Sequence, residues 1–192
     1  ANQLWVSDIS YIIIRPIDAQ PRFSYLSLVL DAYSEEIVGW SLGSTLETLY
    51  PIKALRMALC RIDGKKTELI HHSDRGCQYA SGEYVSLLKE HGISISMTES
   101  GDPKENAQAE RINNTMKNEL LKDCRFESEE EARVTIAEVI SFYNHERPHM
   151  SIDMMTPAEA AQRTGEIKKR WYSYRVAAIK RESICDIPQK GL

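Results

Sequence analysis

Three acidic residues stand where packing gives no reason for them. Asp8 lies inside "LWVSDISYIII" (4–14), where alternation puts Leu4, Val6, Asp8, Ser10, Ile12 and Ile14 on one face. Aspartate is depleted in strands, and a buried, unpaired carboxylate is costly. The ordinary explanations are an edge position facing water or an Arg partner. Asp74 follows the apolar run "TELIHHS" (67–73). There a turn through Arg75-Gly76 would account for it as an Asx residue, but strand ends are also where ligands gather in sheets built with crossover helices. Glu110 falls in "NAQAERINNTMKNELLKD" (106–123), whose core stripe is Ala109, Ile112, Met116 and Leu120. A polar stripe of Asn106, Glu110, Asn113 or Asn114, and Lys117 is displaced from it by about 100°. A metal ion or a reacting phosphate would give all three carboxylates a purpose.

The elements that must position them are legible. Residues 4–14, 23–33 and 36–44 are rich in β-branched and aromatic residues, and a tight turn around Ser34–Glu35 separates the last two. They predict an antiparallel meander. Helical spacing predicts a helix over 49–62, with Ile52, Leu55, Met57 or Leu59, and Ile62 facing the core. A short strand at 67–73, a helix at 82–92 stopped by Gly92, a strand at 93–98, and helices at 106–123 and 128–146 complete the order. Ser128 and Glu131 read as a capping box. The fold class is α/β, a mixed five-stranded sheet in the order β-β-β-α-β-α-β-α-α with flanking helices.

Composition bounds the function. A hydrophobic content of 42% and charged content of 27% are those of a globular chain. No apolar run reaches the roughly 20 residues of a membrane span. Cys60, Cys77, Cys124 and Cys185 form no C-x-x-C pair, which points to a reducing, cytoplasmic setting rather than a disulfide framework. The net charge is −4, low for a nucleic-acid binder, but it divides unevenly: residues 160–192 carry +5 and residues 1–159 carry −9.

Between Asp74 and Glu110 lie 35 residues. Together with Asp8 this resembles the D,D(35)E signature of retroviral-integrase and transposase catalytic cores. Five ordered blocks extend the likeness: "LWVSDISYI", "LVLDAYSEEIVGWSL", "IHHSDRGCQYAS", "SMTESGDPKENAQAERINNTMKNEL" and "FYNHERPHMSIDMMTPAEA". They resemble the integrase core of bacterial insertion-sequence transposases over residues 3–161. The resemblance implies a ribonuclease H-like fold for a core at 1–161, a basic C-terminal tail at 162–192, and a DNA-recognition domain upstream that this chain lacks. It implies DNA cleavage and strand transfer, with element ends and target DNA as partners and a homo-oligomer as the active form. It also implies two Mg²⁺ (or Mn²⁺) ions held by Asp8, Asp74 and Glu110. Carboxylates without converging cysteines suit such hard cations better than zinc, and two ions can serve both the attacking and the leaving oxygen of a phosphodiester. Asp8 is expected between the ions, Asp74 on one and Glu110 on the other. Lys117, Asn113 and Asn114 are expected to contact DNA phosphates.

Two other classes share these residues: a ribonuclease H-like nuclease that only hydrolyses, and an inactive DNA-binding or assembly module. Several neighbours have ordinary readings. Asp31 suits hairpin chemistry, and Arg147 and Pro148 suit a structural or regulatory role. Gly76 is expected to let the chain turn away from Asp74. His71 and His72 point to opposite faces, so at most His72 supports the site. A zinc site from His71, His72, Cys60 and Cys77 fits no standard spacing. The polar stretch 99–105 is expected to be mobile.

Overall fold

The computed structural model describes residues 1–62, 64, 68–99 and 106–170. Its framework is the strand carrying Asp8. β1 (Leu4–Ile14) alternates as expected, but both of its faces are covered through Ser7, and only beyond Asp8 does one face open at Tyr11. Val6, Ile12 and Ile14 enter one apolar cluster, while Trp5 enters another on the opposite side. β2 (Arg22–Asp31) pairs antiparallel with β1, and β3 (Ile37–Gly43) pairs antiparallel with β2, completing the meander.

β4 (Ile70–Ser73) and β5 (Ser94–Met97) arrive through helices and run parallel, giving the sheet order β3-β2-β1-β4-β5. The β1–β4 register ends at Ser7↔Ser73. β1 continues seven residues further, where among the described residues β2 is its only long neighbour, joined near the end by a bridge from Ile14 to Phe126.

α1 (Leu49–Leu59) and α2 (Gly82–Glu90) cover the Trp5 face. Of the two positions left open in α1, Leu59 is buried and Met57 is exposed. The helix lies so close to β3 that a Cβ on Gly39 would stand 2.1 Å from the carbonyl oxygen of Ala54. Gly92, at φ +69°, takes the left-handed turn that ends α2.

The opposite face is covered by α3 (Ala107–Thr115) and α4 (Glu129–His145). At α4, Ser128 accepts from the backbone of Glu131 as expected, but the Glu131 carboxylate returns to Glu127. α3 does not run on to residue 123. It passes into a π-helical turn, Met116–Leu120, closed by a bond from Leu121 N–H to the Met116 carbonyl. The extra residue in the turn shifts the core stripe by one, so Leu121 is buried after Met116 and Leu120 only partly so. A short helix, α5 (Pro157–Ala161), opens with a full capping box from Thr156 and Glu159. Residues 162–170 lie back along the core, where the Gly165 carbonyl accepts from Tyr33 Oη at 2.8 Å. Among the described residues no helix is long and apolar enough to cross a membrane.

Candidate active site

Because β1 and β4 are parallel and paired as far as Ser7↔Ser73, the next residues of both strands are Asp8 and Asp74. They stand where β4 stops and β1 goes on. Asp8 is half-buried in mid-strand, opposite Leu28 on β2. Its Oδ1 accepts from its neighbour Ile9 N–H at 2.9 Å and its Oδ2 from Asn113 Nδ2 at 2.7 Å. Among the described residues no cation pairs with it. Burial raises its pKa above the ordinary 3.8; the two hydrogen bonds oppose this, and Asp74 and Glu110 add to it by repulsion.

Asp74 is also half-buried and makes the expected turn, with Oδ1 accepting from Gly76 N–H at 2.9 Å. The reason for glycine there differs from the expected one. Gly76 is absent from the positive-φ glycines, but a Cβ on it would stand 2.9 Å from Asp74 Oδ1. It provides room beside the carboxylate, not a special backbone angle.

Glu110 is exposed in the first turn of α3, where the helix dipole favours a carboxylate. Two side chains tie this helix to β1 on either side of Asp8: Asn106 Nδ2 donates to the Ser7 carbonyl at 3.1 Å, and Asn113 donates to Asp8 itself. Asp8 borders two adjoining cavities. One, of about 320 Å³, is shared with Asp74, Tyr79 and Gln78; the other, of about 290 Å³, is shared with Glu110, Asn113, Asn114 and Lys117. The expected ligands are therefore gathered around Asp8 as two pairs. Among the described residues no three His, Cys, Asp or Glu side chains close into a single metal shell. The donor chemistry, carboxylate oxygens around a desolvated Asp8, fits a hard divalent cation.

The stripe that left Asn113 or Asn114 open is resolved. Asn113 is buried and its Nδ2 donates to Asp8, while the residue still lines the cavity that Glu110 borders. Asn114 is exposed and accepts from Asn118 at 2.5 Å. Lys117 places its Nζ 3.6 Å from the centroid of the Tyr11 ring.

The histidines part company. His71 is fully buried on the α2 side, its Nε2 within bonding distance of Ser7 Oγ (2.8 Å) and Tyr84 Oη (2.9 Å). Burial lowers its pKa to about 4, so it is neutral and structural. His72 shares the Asp74 face; its Nδ1 meets Ser96 Oγ at 2.8 Å, and its buried Nε2 has no partner. Cys60 and Cys77 are exposed and join no metal cluster among the described residues. Asp31 is buried in its hairpin, accepting from Tyr33 N–H, Ser34 N–H and Ser34 Oγ. Except for Glu99, the stretch 99–105 lies outside the described residues.

One cluster escaped sequence reasoning. Glu35, in the β2–β3 turn at φ +61°, is buried and accepts from Arg111 Nη2 at 2.5 Å and Ser151 Oγ at 2.8 Å. His149 packs beside it, and Arg147 links His149 to Glu119. Arg111 is 76 positions from Glu35, and no local pattern announces such a pair.

The comparisons with known proteins follow the same lines. A family model described as Integrase core domain matches residues 1–103, and a second with that description matches residues 91–157. An uncharacterized 31 kDa protein of insertion element IS600 from Shigella sonnei is 37% identical over 158 residues, covering 82% of this chain and 56% of that protein. The transposase for insertion sequence element IS904 from Lactococcus lactis is 33% identical over 159 residues, covering 82% of this chain and 60% of its own length. The chain thus spans little more than half of these relatives. Among solved structures, the HTLV-2 integrase catalytic core domain in complex with magnesium superposes with a TM-score of 0.62 at 18% identity, over 83% of this chain and 95% of that one. A chain of the simian T-cell lymphotropic virus intasome in complex with PP2A regulatory subunit B56 gamma gives 0.68 at 15%, over 90% of this chain and 59% of that one. The fold is ribonuclease H-like.

Proposed function

The chain belongs to the integrase core domain family, and on that premise we propose that it is the catalytic core of a DNA transposase, cutting phosphodiester bonds and transferring strands to move an insertion element. The observation that carries this reading is Asp8: a desolvated carboxylate flanked by Asp74 and Glu110, with no cation to balance it among the described residues. Asp8, Asp74 and Glu110 would hold two Mg²⁺ or Mn²⁺ ions, supplying an activated attacking oxygen and a neutralised leaving oxygen. Asn113 fixes the orientation of the Asp8 carboxylate, and Asn106 fixes the start of α3 against β1. Gly76 keeps the space beside Asp74 clear. Lys117 and Asn114 face the cavity that Glu110 lines and are the residues to meet a phosphate. Element ends and target DNA are the proposed partners. A homo-oligomer is the proposed active form, a reading that the dimeric and trimeric forms of the HTLV-2 core support. The proposed core is 1–161, followed by the basic segment 162–192.

The test is cleavage and joining of labelled oligonucleotides, including element-end DNA, in EDTA and then in Mg²⁺ or Mn²⁺. Metal-dependent joining is expected of the wild-type chain. Asp8→Asn, Asp74→Asn and Glu110→Gln should each fall to background. Joining in EDTA, or activity surviving in all three variants, would overturn the assignment; hydrolysis with no joining would leave a cutting-only nuclease.

A further inference from the structure

β4 ends at Ser73 while β1 runs to Ile14, so beyond Asp8 the sheet loses β4 and β5, and past Tyr11↔Tyr25, where β3 ends at Gly43, it narrows to a β1–β2 ribbon. On one face of this end of the sheet Tyr11 pairs across from Tyr25, and Ile13 from Phe23. The rings of Tyr11 and Phe23 meet edge to face, centroids 5.3 Å apart, yet they remain 50% and 52% exposed. Two aromatic rings left half in water bury little for the fold, and an exposed aromatic patch is a common mark of a binding surface. Its location says what it binds. Tyr11 and Tyr25 border the cavity of Asp8 and Asp74, and Tyr11 also borders the cavity of Glu110. The ammonium of Lys117 lies over the Tyr11 ring, and among the described residues no carboxylate is bonded to it.

We propose that Tyr11, Tyr25 and Phe23, with Lys117, form a stacking platform for an unpaired nucleobase of the DNA strand whose phosphate lies at Asp8, Asp74 and Glu110. This deepens the proposed function and rests on it. A nucleotide offers both a flat ring and an adjacent phosphate; the platform offers an aromatic face with a cation beside it. Three residues beyond Asp8, Tyr11 starts from the opposite face of β1, but β4 leaves this edge of β1 after Ser73. Tyr11 borders both cavities that Asp8 lines, about 10 Å along the strand and within reach of the nucleotide next to a phosphate held there. A paired base has both faces covered by its neighbours, so a base must leave the helix stack to use such a site. Stacking on an aromatic ring also tolerates any sequence, since every base has a π face.

The experiment compares a short duplex with frayed, single-stranded ends against the fully paired duplex of the same sequence. Both carry 2-aminopurine near the end, and binding is measured in Mg²⁺ in the Glu110→Gln background so that no strand is cut. Expected is a preference for frayed DNA of about tenfold, with quenched 2-aminopurine fluorescence. Tyr11→Leu should abolish both, and Tyr11→Trp should keep them. The readout is a ratio between two DNAs, which a general loss of folded protein does not move. Equal binding of the two DNAs, or a preference that survives Tyr11→Leu and Phe23→Ser, overturns the platform. A change of oligomeric state in Tyr11→Leu, with the DNA preference intact, would instead make the patch a contact between copies and also overturns it. Cutting by the wild-type chain is scored separately. Cutting without the preference removes the platform alone, whereas the preference without cutting removes the function reading and leaves a base-stacking surface.

Discussion

α3 carries two charged residues side by side that serve opposite ends of a contrast. Glu110 faces the open cleft, exposed, beside a carboxylate that no cation balances among the described residues. Arg111 reaches into a closed polar cluster, where Glu35 is buried and takes Arg111 on one oxygen and Ser151 on the other. Burial and pairing mark the second region as structural. Charge left under-compensated marks the first as a site awaiting something from outside. The difference lies in electrostatic satisfaction, and residue type alone does not reveal it.

The largest expected effect breaks the closed side. Glu35→Ala should destabilise the fold by about 2–3 kcal/mol, because it orphans Ser151 and leaves Arg111 without its partner, softened by Arg111's partial exposure to water. Glu110→Gln, one residue along the same helix from Arg111, should cost close to nothing. Urea titrations of the two variants check this, and equal losses would erase the contrast.

Next comes acid. His71 beneath the cleft and His149 in the closed cluster are both held neutral, chiefly by burial, with pKa values lowered from 6.5 to about 4. Since the folded values are depressed, the stability each contributes is present above 6.5 and is lost as pH falls through 6.5 towards about 4. Each step should be on the order of 2–3 kcal/mol. His71→Gln and His149→Gln should each flatten the acid limb of a stability-versus-pH curve, and an unchanged limb in both variants would remove this account.

The open side should behave in reverse. Asp8 has a raised folded-state pKa, so its contribution to stability is full below the ordinary 3.8 and is lost as pH rises through the folded value. At neutral pH it is a burden. Asp8→Asn should therefore stabilise the chain in EDTA by on the order of 1 kcal/mol. Adding Mg²⁺ should raise the melting temperature of wild type and not of the variant. If the variant melts well below wild type in EDTA and Mg²⁺ moves neither, the metal-site assignment fails. The smallest effect is that of Lys117→Ala, which should weaken DNA binding without regard to sequence and reduce the salt slope by about one. An unaltered slope would place Lys117 outside the phosphate contacts.

Legibility in the sequence followed locality. β1 appears at 4–14 as expected because alternation is a property of neighbours, and a mid-strand Asp8 stands out against it for the same reason. The proposed triad of Asp8, Asp74 and Glu110 was marked out by spacing and resemblance, although its arrangement as two pairs around Asp8 was not. The π turn after Thr115 was hidden, since an added residue in a helical turn changes backbone bonding without changing residue types. Asn113's inward direction could not be told from Asn114's, because adjacent residues flank the same stripe. The Glu35 cluster was invisible for a deeper reason. "SEEI" reads as an ordinary turn, and its meaning comes from Arg111 and Ser151, far along the chain.

The parallel register of β1 and β4 constrains how the chain can change over generations. Asp8 and Asp74 share a face only because each lies one step past Ser7↔Ser73. A single-residue insertion inside β4 would turn Asp74 to the side of the sheet occupied by α1, while a two-residue insertion would return it. After the first event every acidic letter would still be present, and a search by composition would find nothing wrong. Length variants of this chain should therefore be inherited in the connections and be filtered out within these two strands by parity.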